Sequence, residues 1–72
     1  MSNTLIKIQT RTNKKTGKTF KLGKILDLET EEVLYTAEGP THAHVKRELR
    51  KSNLIPTNVI ISKKETIFTK KN

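Results

Sequence analysis

From Thr4 to Thr12 apolar and polar residues alternate. Ile6, Ile8 and Thr10 fall on one side and Lys7, Gln9 and Arg11 on the other. A period of two is that of a strand with one buried face, so the spacing predicts a half-buried strand with a basic outer face. Asn13-Lys14-Lys15-Thr16-Gly17-Lys18 is polar and carries a glycine near its end, as a hairpin loop does. Alternation resumes from Thr19 to Leu28. Phe20 and Leu22 share a face, and Leu26 and Leu28 continue that parity. Lys24 interrupts it, and Gly23 just before the fault predicts a bulge or bend. Glu29-Thr30-Glu31-Glu32 reads as a second turn, and Val33, Tyr35 and Ala37 as one face of a third strand. The first three strands read as a meander.

The pattern then changes period. Gly39-Pro40-Thr41 marks a boundary, and the Thr41 hydroxyl can accept a bond from an amide of a first helical turn. The predicted helix runs from His42 to Ser52, with Val45 and Leu49 four apart on its apolar side. Asn53 suits a left-handed residue after the helix, and Pro56 stops continuation. Val59-Ile60-Ile61-Ser62 and Thr66-Ile67-Phe68-Thr69 read as two short strands about a turn at Lys63-Lys64-Glu65. That turn lacks glycine, which leaves one longer strand as the alternative.

The sum is an α+β fold: a small antiparallel sheet in the order β-β-β-α-β, with a fifth strand if the last segment is a hairpin, and one helix packed on one face. A single domain is expected over residues 1–72, with 1–3 and 70–72 frayed. The expected core is Ile6, Ile8, Phe20, Leu22, Leu26, Val33, Tyr35, Val45, Leu49, Ile61 and Phe68. One helix covers one face of a sheet, so the other face is expected to be solvated or covered by a partner.

Composition narrows the classes. Hydrophobic residues are 32 % of the 72, against about 45–50 % in an average soluble domain. The core is therefore small, and stability modest unless a partner adds to it. No cysteine is present, which excludes disulfides, a thiolate nucleophile and a cysteine zinc site. The longest apolar run, Val59-Ile60-Ile61, is too short to span a membrane, and the N-terminus has no signal-peptide pattern. A cytoplasmic location is expected.

Charge changes the picture most. The formal net charge is +8, from 15 basic and 7 acidic residues. The signs are segregated. Between Lys7 and Lys24 lie Arg11, Lys14, Lys15, Lys18 and Lys21 and no acid, whereas Asp27, Glu29, Glu31, Glu32 and Glu38 follow with no base among them. Lys46, Arg47, Arg50 and Lys51 then make the helix basic. A basic stripe with a separate acidic end is the footprint of a polyanion binder. Only Arg11, Arg47 and Arg50 are arginines. Lysine is a point charge suited to phosphate and not to bidentate reading of bases, so backbone contacts should dominate.

Catalytic and cofactor chemistry finds little support. Thr16-Gly17-Lys18-Thr19 matches the end of a phosphate-binding P-loop, but the first glycine of that pattern would fall at Thr12, and a strand rather than a helix follows. His42 and His44 point about 200° apart on a helix, and no Cys or third His joins them. The carboxylates cluster at a turn, and so small a core has little room for a pocket of about 300 Å³ or more. No enzyme activity, cofactor or metal is expected. Tyr35 could stack on a base, but the aromatic pattern of an RNA-recognition sheet is absent.

Two functions remain. The first is a nucleic-acid-binding module, with duplex DNA ahead of RNA, touching phosphates through Lys7, Arg11, Lys14, Lys15, Lys18, Lys21 and Lys24 of the hairpin and Lys46, Arg47, Arg50 and Lys51 of the helix. Three strands followed by a helix can insert strands into a major groove. In topology alone, over about two thirds of the chain, this order resembles the small AP2-like arm-binding domain of some phage and transposon integrases, which implies DNA binding and assigns no residue. The second is a phage- or mobile-element-type regulator that docks on an acidic groove of a host enzyme. Phosphate binding predicts that the basic hairpin and helix form one continuous surface. Partner binding predicts an exposed apolar patch beside it.

Overall fold

The computed structural model describes residues 2–70. Strands β1 (Ser2–Thr12), β2 (Thr19–Asp27) and β3 (Val33–Gly39) are followed by helix α1 (His42–Arg50) and strand β4 (Glu65–Lys70). All pairings are antiparallel, and the spatial order is β3-β2-β1-β4. The α+β architecture with one helix on one sheet face is therefore present, and the meander of the first three strands is extended by β4 returning to the free edge of β1. Ser2 and Asn3 pair with Lys70 and Thr69, so Ser2, Asn3 and Lys70, which were expected to fray, lie in strands. Met1, Lys71 and Asn72 lie outside the described residues.

Register decides which face is buried. Ile6 of β1 lies opposite Ile25 of β2, and Ile8 opposite Gly23. These positions face α1, whose Val45 and Leu49 are fully buried. The core is Ile6, Ile8, Ile25, Val45, Leu49, Ile55, Ile61 and Phe68. Because side chains alternate across a strand, Phe20, Leu22 and Leu26 point to the opposite face. Val33 and Tyr35 are exposed, at 52 % and 37 %. All five were expected in the core. The parity of Phe20, Leu22 and Leu26 is regular, but it belongs to the open face. The pairing with β1 puts Ile25 inside instead. Ile55, from the loop after the helix, takes the remaining core place.

Gly23 does not bend β2. It stays in regular register with Ile8 and Ala37, and the irregularity lies between Ile25 and Leu26, where Leu34 is the extra residue on β3. The glycine is needed for close approach. A Cβ there would lie 2.5 Å from Val45 Cγ1 and 2.8 Å from Leu49 Cδ1, so the helix rests directly on the β2 backbone.

Thr41 caps the helix as expected, its Oγ1 accepting the His44 amide at 3.2 Å. Asn53 has φ 62°, the left-handed position after the helix. The segment 59–62 is not a strand. The Val59 carbonyl accepts Arg50 Nη2 at 2.6 Å, and the Ser62 amide donates to Thr66 Oγ1 at 2.8 Å. The Val59 amide donates to the Pro56 carbonyl at 3.1 Å, a local turn contact, and the C-terminal part holds the strand β4.

Candidate nucleic-acid interface

The β1–β2 hairpin outruns the rest of the sheet. β4 pairs with β1 only as far as Lys7, and β3 pairs with β2 only from Lys21 onward. The pairs Arg11–Phe20 and Thr12–Thr19 therefore stand beyond both edge strands as a two-stranded ribbon. Every residue from Thr10 to Thr19 is exposed. The tip is closed by its own bonds. Gly17 donates to the Asn13 carbonyl at 2.7 Å, Asn13 donates to the Lys18 carbonyl at 2.8 Å, and the Lys15 amide donates to Asn13 Oδ1 at 2.9 Å. Gly17 has φ 73°, which a residue without Cβ adopts freely. The turn thus presents Lys14, Lys15 and Lys18 from a defined loop. It leads into β2, not into a helix, so it cannot cradle a nucleotide as a P-loop does.

The open sheet face continues from this ribbon in cross-strand rows. Arg11 lies beside Phe20, and Gln9 beside Leu22 and Glu38. Next come Glu65, Lys7, Lys24 and Thr36, and then Ile67, Leu5, Leu26 and Val33. Lys7 and Lys24 are direct cross-strand neighbours. Like charges placed so destabilise a sheet, and Glu65 opposite Lys7 on β4 offsets part of that repulsion. The last row is apolar, with Ile67 61 % and Val33 52 % exposed.

The helix cations lie on the other side of the sheet, because α1 packs on the face opposite Lys7, Arg11 and Lys24. Lys46, Arg47, Arg50 and Lys51 thus form a second basic area, and the single continuous surface is absent. Several of them are engaged internally. Arg50 holds the Val59 carbonyl. Lys51 Nζ lies 2.8 Å from Glu48 Oε2, and its hydrogen bond holds the Glu48 carboxyl below the usual range. Arg47 Nη2 is 3.5 Å from His44 Nδ1. Lys21 also turns away from the open face, donating from Nζ to Thr10 Oγ1 at 2.6 Å. Arg11, Lys14, Lys15 and Lys18 make no side-chain hydrogen bond or ion pair among the described residues.

No protein-family model, curated protein or solved structure matches this chain.

The remaining candidates are less informative. His42 Nε2 lies 3.1 Å from the Ser62 carbonyl, and the His44 ring packs against Gly39. No three His, Cys, Asp or Glu side chains gather as metal ligands among the described residues. A half-open cavity of about 560 Å³ lies between the loop after α1 and β4, larger than so small a core was expected to allow. Its lining of Asn53, Leu54, Ile55, Pro56, Asn58, Val59, Phe68 and Thr69 includes no ionisable side chain. It can hold an apolar group, but it offers no acid, base or charged nucleophile. Asp27 caps the β2–β3 turn, its Oδ1 accepting the Glu29 amide at 2.8 Å. That gives one acidic residue a local structural role.

Proposed function

We propose that the protein is a non-enzymatic nucleic-acid-binding module, with duplex DNA favoured over RNA, that grips the phosphate backbone through the β1–β2 ribbon. The observation that carries this reading is the ribbon itself: an exposed, internally closed arm with Arg11, Lys14, Lys15 and Lys18 and no acid between Thr10 and Thr19. The Lys7–Lys24 pair behind it, with Glu65 opposite Lys7, leaves one net positive charge in that row of the open face. The helix cations are excluded from this interface, since the sheet separates them from the ribbon.

Fluorescence anisotropy of labelled duplex DNA, single-stranded DNA and RNA across a salt series tests the reading. Affinity should fall steeply with salt. Reversing Lys14, Lys15 and Lys18 to Glu should reduce the slope of log K against log salt by up to about 2.7, at about 0.9 per lost phosphate contact. Reversing Lys46 and Arg47 to Glu should leave affinity within about two-fold, since they lie behind the sheet and their loss releases no counterions from the ligand. Equal losses from both variants would reject the ribbon as the interface, and no binding at low salt would reject the function.

The apolar row of Leu5, Leu26, Val33 and Ile67 supports a second reading, a regulator docking on a protein with an acidic groove. In that case Val33→Lys and Ile67→Lys would abolish capture of the protein partner, with nucleic-acid affinity unchanged.

A further inference from the structure

We infer that Gln9 and Arg11 read base pairs in the major groove of B-form DNA, giving the module a sequence preference that its lysine-rich composition conceals. This rests on the nucleic-acid reading above and specifies what lies under the ribbon. The two residues project from the same face of β1, because they are two apart in a regular strand. That face is the open one, so no helix stands between it and a ligand. Arg11 is exposed, and neither side chain is held by an internal hydrogen bond or ion pair among the described residues. Arg47 and Arg50, by contrast, are turned to His44 and the Val59 carbonyl. Arg11 is thus the arginine whose donor fork faces outward from the arm.

The arm's dimensions select the groove. Two paired strands have axes about 5 Å apart and are wider by the atoms outside those axes, so a major groove of about 12 Å admits such a ribbon, whereas a minor groove of about 6 Å does not. A-form RNA has a major groove too deep and narrow for side chains to read. Minor-groove proteins often force entry with an apolar wedge. The tip from Asn13 to Lys18 has none. Behind the ribbon β3 joins at Lys21, so the Gln9–Leu22 row is three strands wide, and from Lys7 the sheet has four strands, about 14 Å between outer backbones, which is too wide to follow. Glu38, beside Leu22 on β3, adds a carboxylate at the place where the third strand meets the phosphate ridge. Insertion therefore stops at the Gln9–Leu22 pair, leaving Gln9 and Arg11 over base edges and the tip lysines against the backbone.

The chemistry of the pair is complementary. A guanidinium donates two bonds to guanine O6 and N7, and a carboxamide both donates to and accepts from adenine N7 and N6. Two residues along a strand advance about 6.8 Å, which is about two base steps at 3.4 Å each. The predicted preference is a guanine and an adenine two steps apart, with Phe20 and Leu22 supplying an apolar wall suited to a thymine methyl.

Repeated selection from a random duplex DNA library by the full chain is the test. The wild type should enrich those two positions, each discriminating by roughly 5- to 150-fold. Arg11→Lys keeps the charge without the fork, so it should lose the guanine preference alone. Gln9→Ala should lose the adenine preference alone. Both variants should keep their circular dichroism spectra, and Gln9→Ala its salt slope. Salt-dependent binding with a flat sequence profile, or a motif that survives both substitutions, would overturn base reading and leave phosphate binding standing. Failure to retain any nucleic acid at low salt would overturn the parent reading and this one together.

Discussion

At the scale of single residues, Gly23 sets how closely the helix can approach the sheet. A glycine inside a strand ordinarily weakens it by about 0.5–1 kcal/mol relative to alanine, so Gly23→Ala would stabilise a sheet with open space above it. Here the added methyl meets Val45 and Leu49, both fully buried, and Val45 is stiff at χ1. The expected outcome is a loss of about 1–3 kcal/mol in urea denaturation, the range for an overpacked core. Unchanged or higher stability would mean that α1 sits farther from β2 than described. Sequence alone marked Gly23 as unusual but attached the wrong cause, a bend. A bulge and a close approach leave the same glycine in a strand, and only the position of the helix distinguishes them.

At the scale of elements, the helix was the most legible part. Its cap, its buried Val45 and Leu49 and its left-handed exit at Asn53 are all local, and each acts within a few residues. Thr41→Ala should cost about 1 kcal/mol, read as a lower thermal midpoint, because the His44 amide loses its acceptor. A midpoint equal to the wild type would remove the cap from the account. The strands were legible in position but not in orientation. Phe20, Leu22 and Leu26 alternate as a core face would, because the open face is itself part apolar. For β2, alternation alone therefore fitted either face, and pairing with β1 chose between them. The C-terminal segment fails for another reason. Val59, Ile60 and Ile61 have strand-forming side chains, but Arg50 takes the Val59 carbonyl and no described strand pairs with the segment.

At the scale of the whole molecule, charge separation follows from the antiparallel hairpins. The dimensions are 42 × 24 × 17 Å, and the nine residues of β2 span about 30 Å between the basic tip and the acidic β2–β3 turn. The screening length is about 8 Å at physiological salt and about 30 Å at 0.01 M. Glu29→Lys with Glu32→Lys should therefore change nucleic-acid affinity by less than about two-fold at 0.15 M salt and strengthen it visibly at 0.01 M, in the same anisotropy assay. A ten-fold gain at 0.15 M would place the ligand along the full open face and not at the ribbon alone.

The sequence by itself determined the element order, the helix start at Thr41, the left-handed residue Asn53 beyond its end, the hairpin tip at Gly17 and the alternation of basic and acidic segments, while the helix itself ends at Arg50, two residues short of the expected Ser52. These depend on capping, backbone conformation and local spacing, which are short-range. Only the tertiary structure decided that Ile25 and not Leu22 enters the core, and that β4 stops at Lys7 and leaves a free ribbon. It also decided that the helix cations stand behind the sheet while Arg11 stands in front. Those outcomes depend on register between strands and on which face the single helix covers. A one-residue change of register turns every side chain of a strand to the other side, so the site's location was settled by pairing and not by composition.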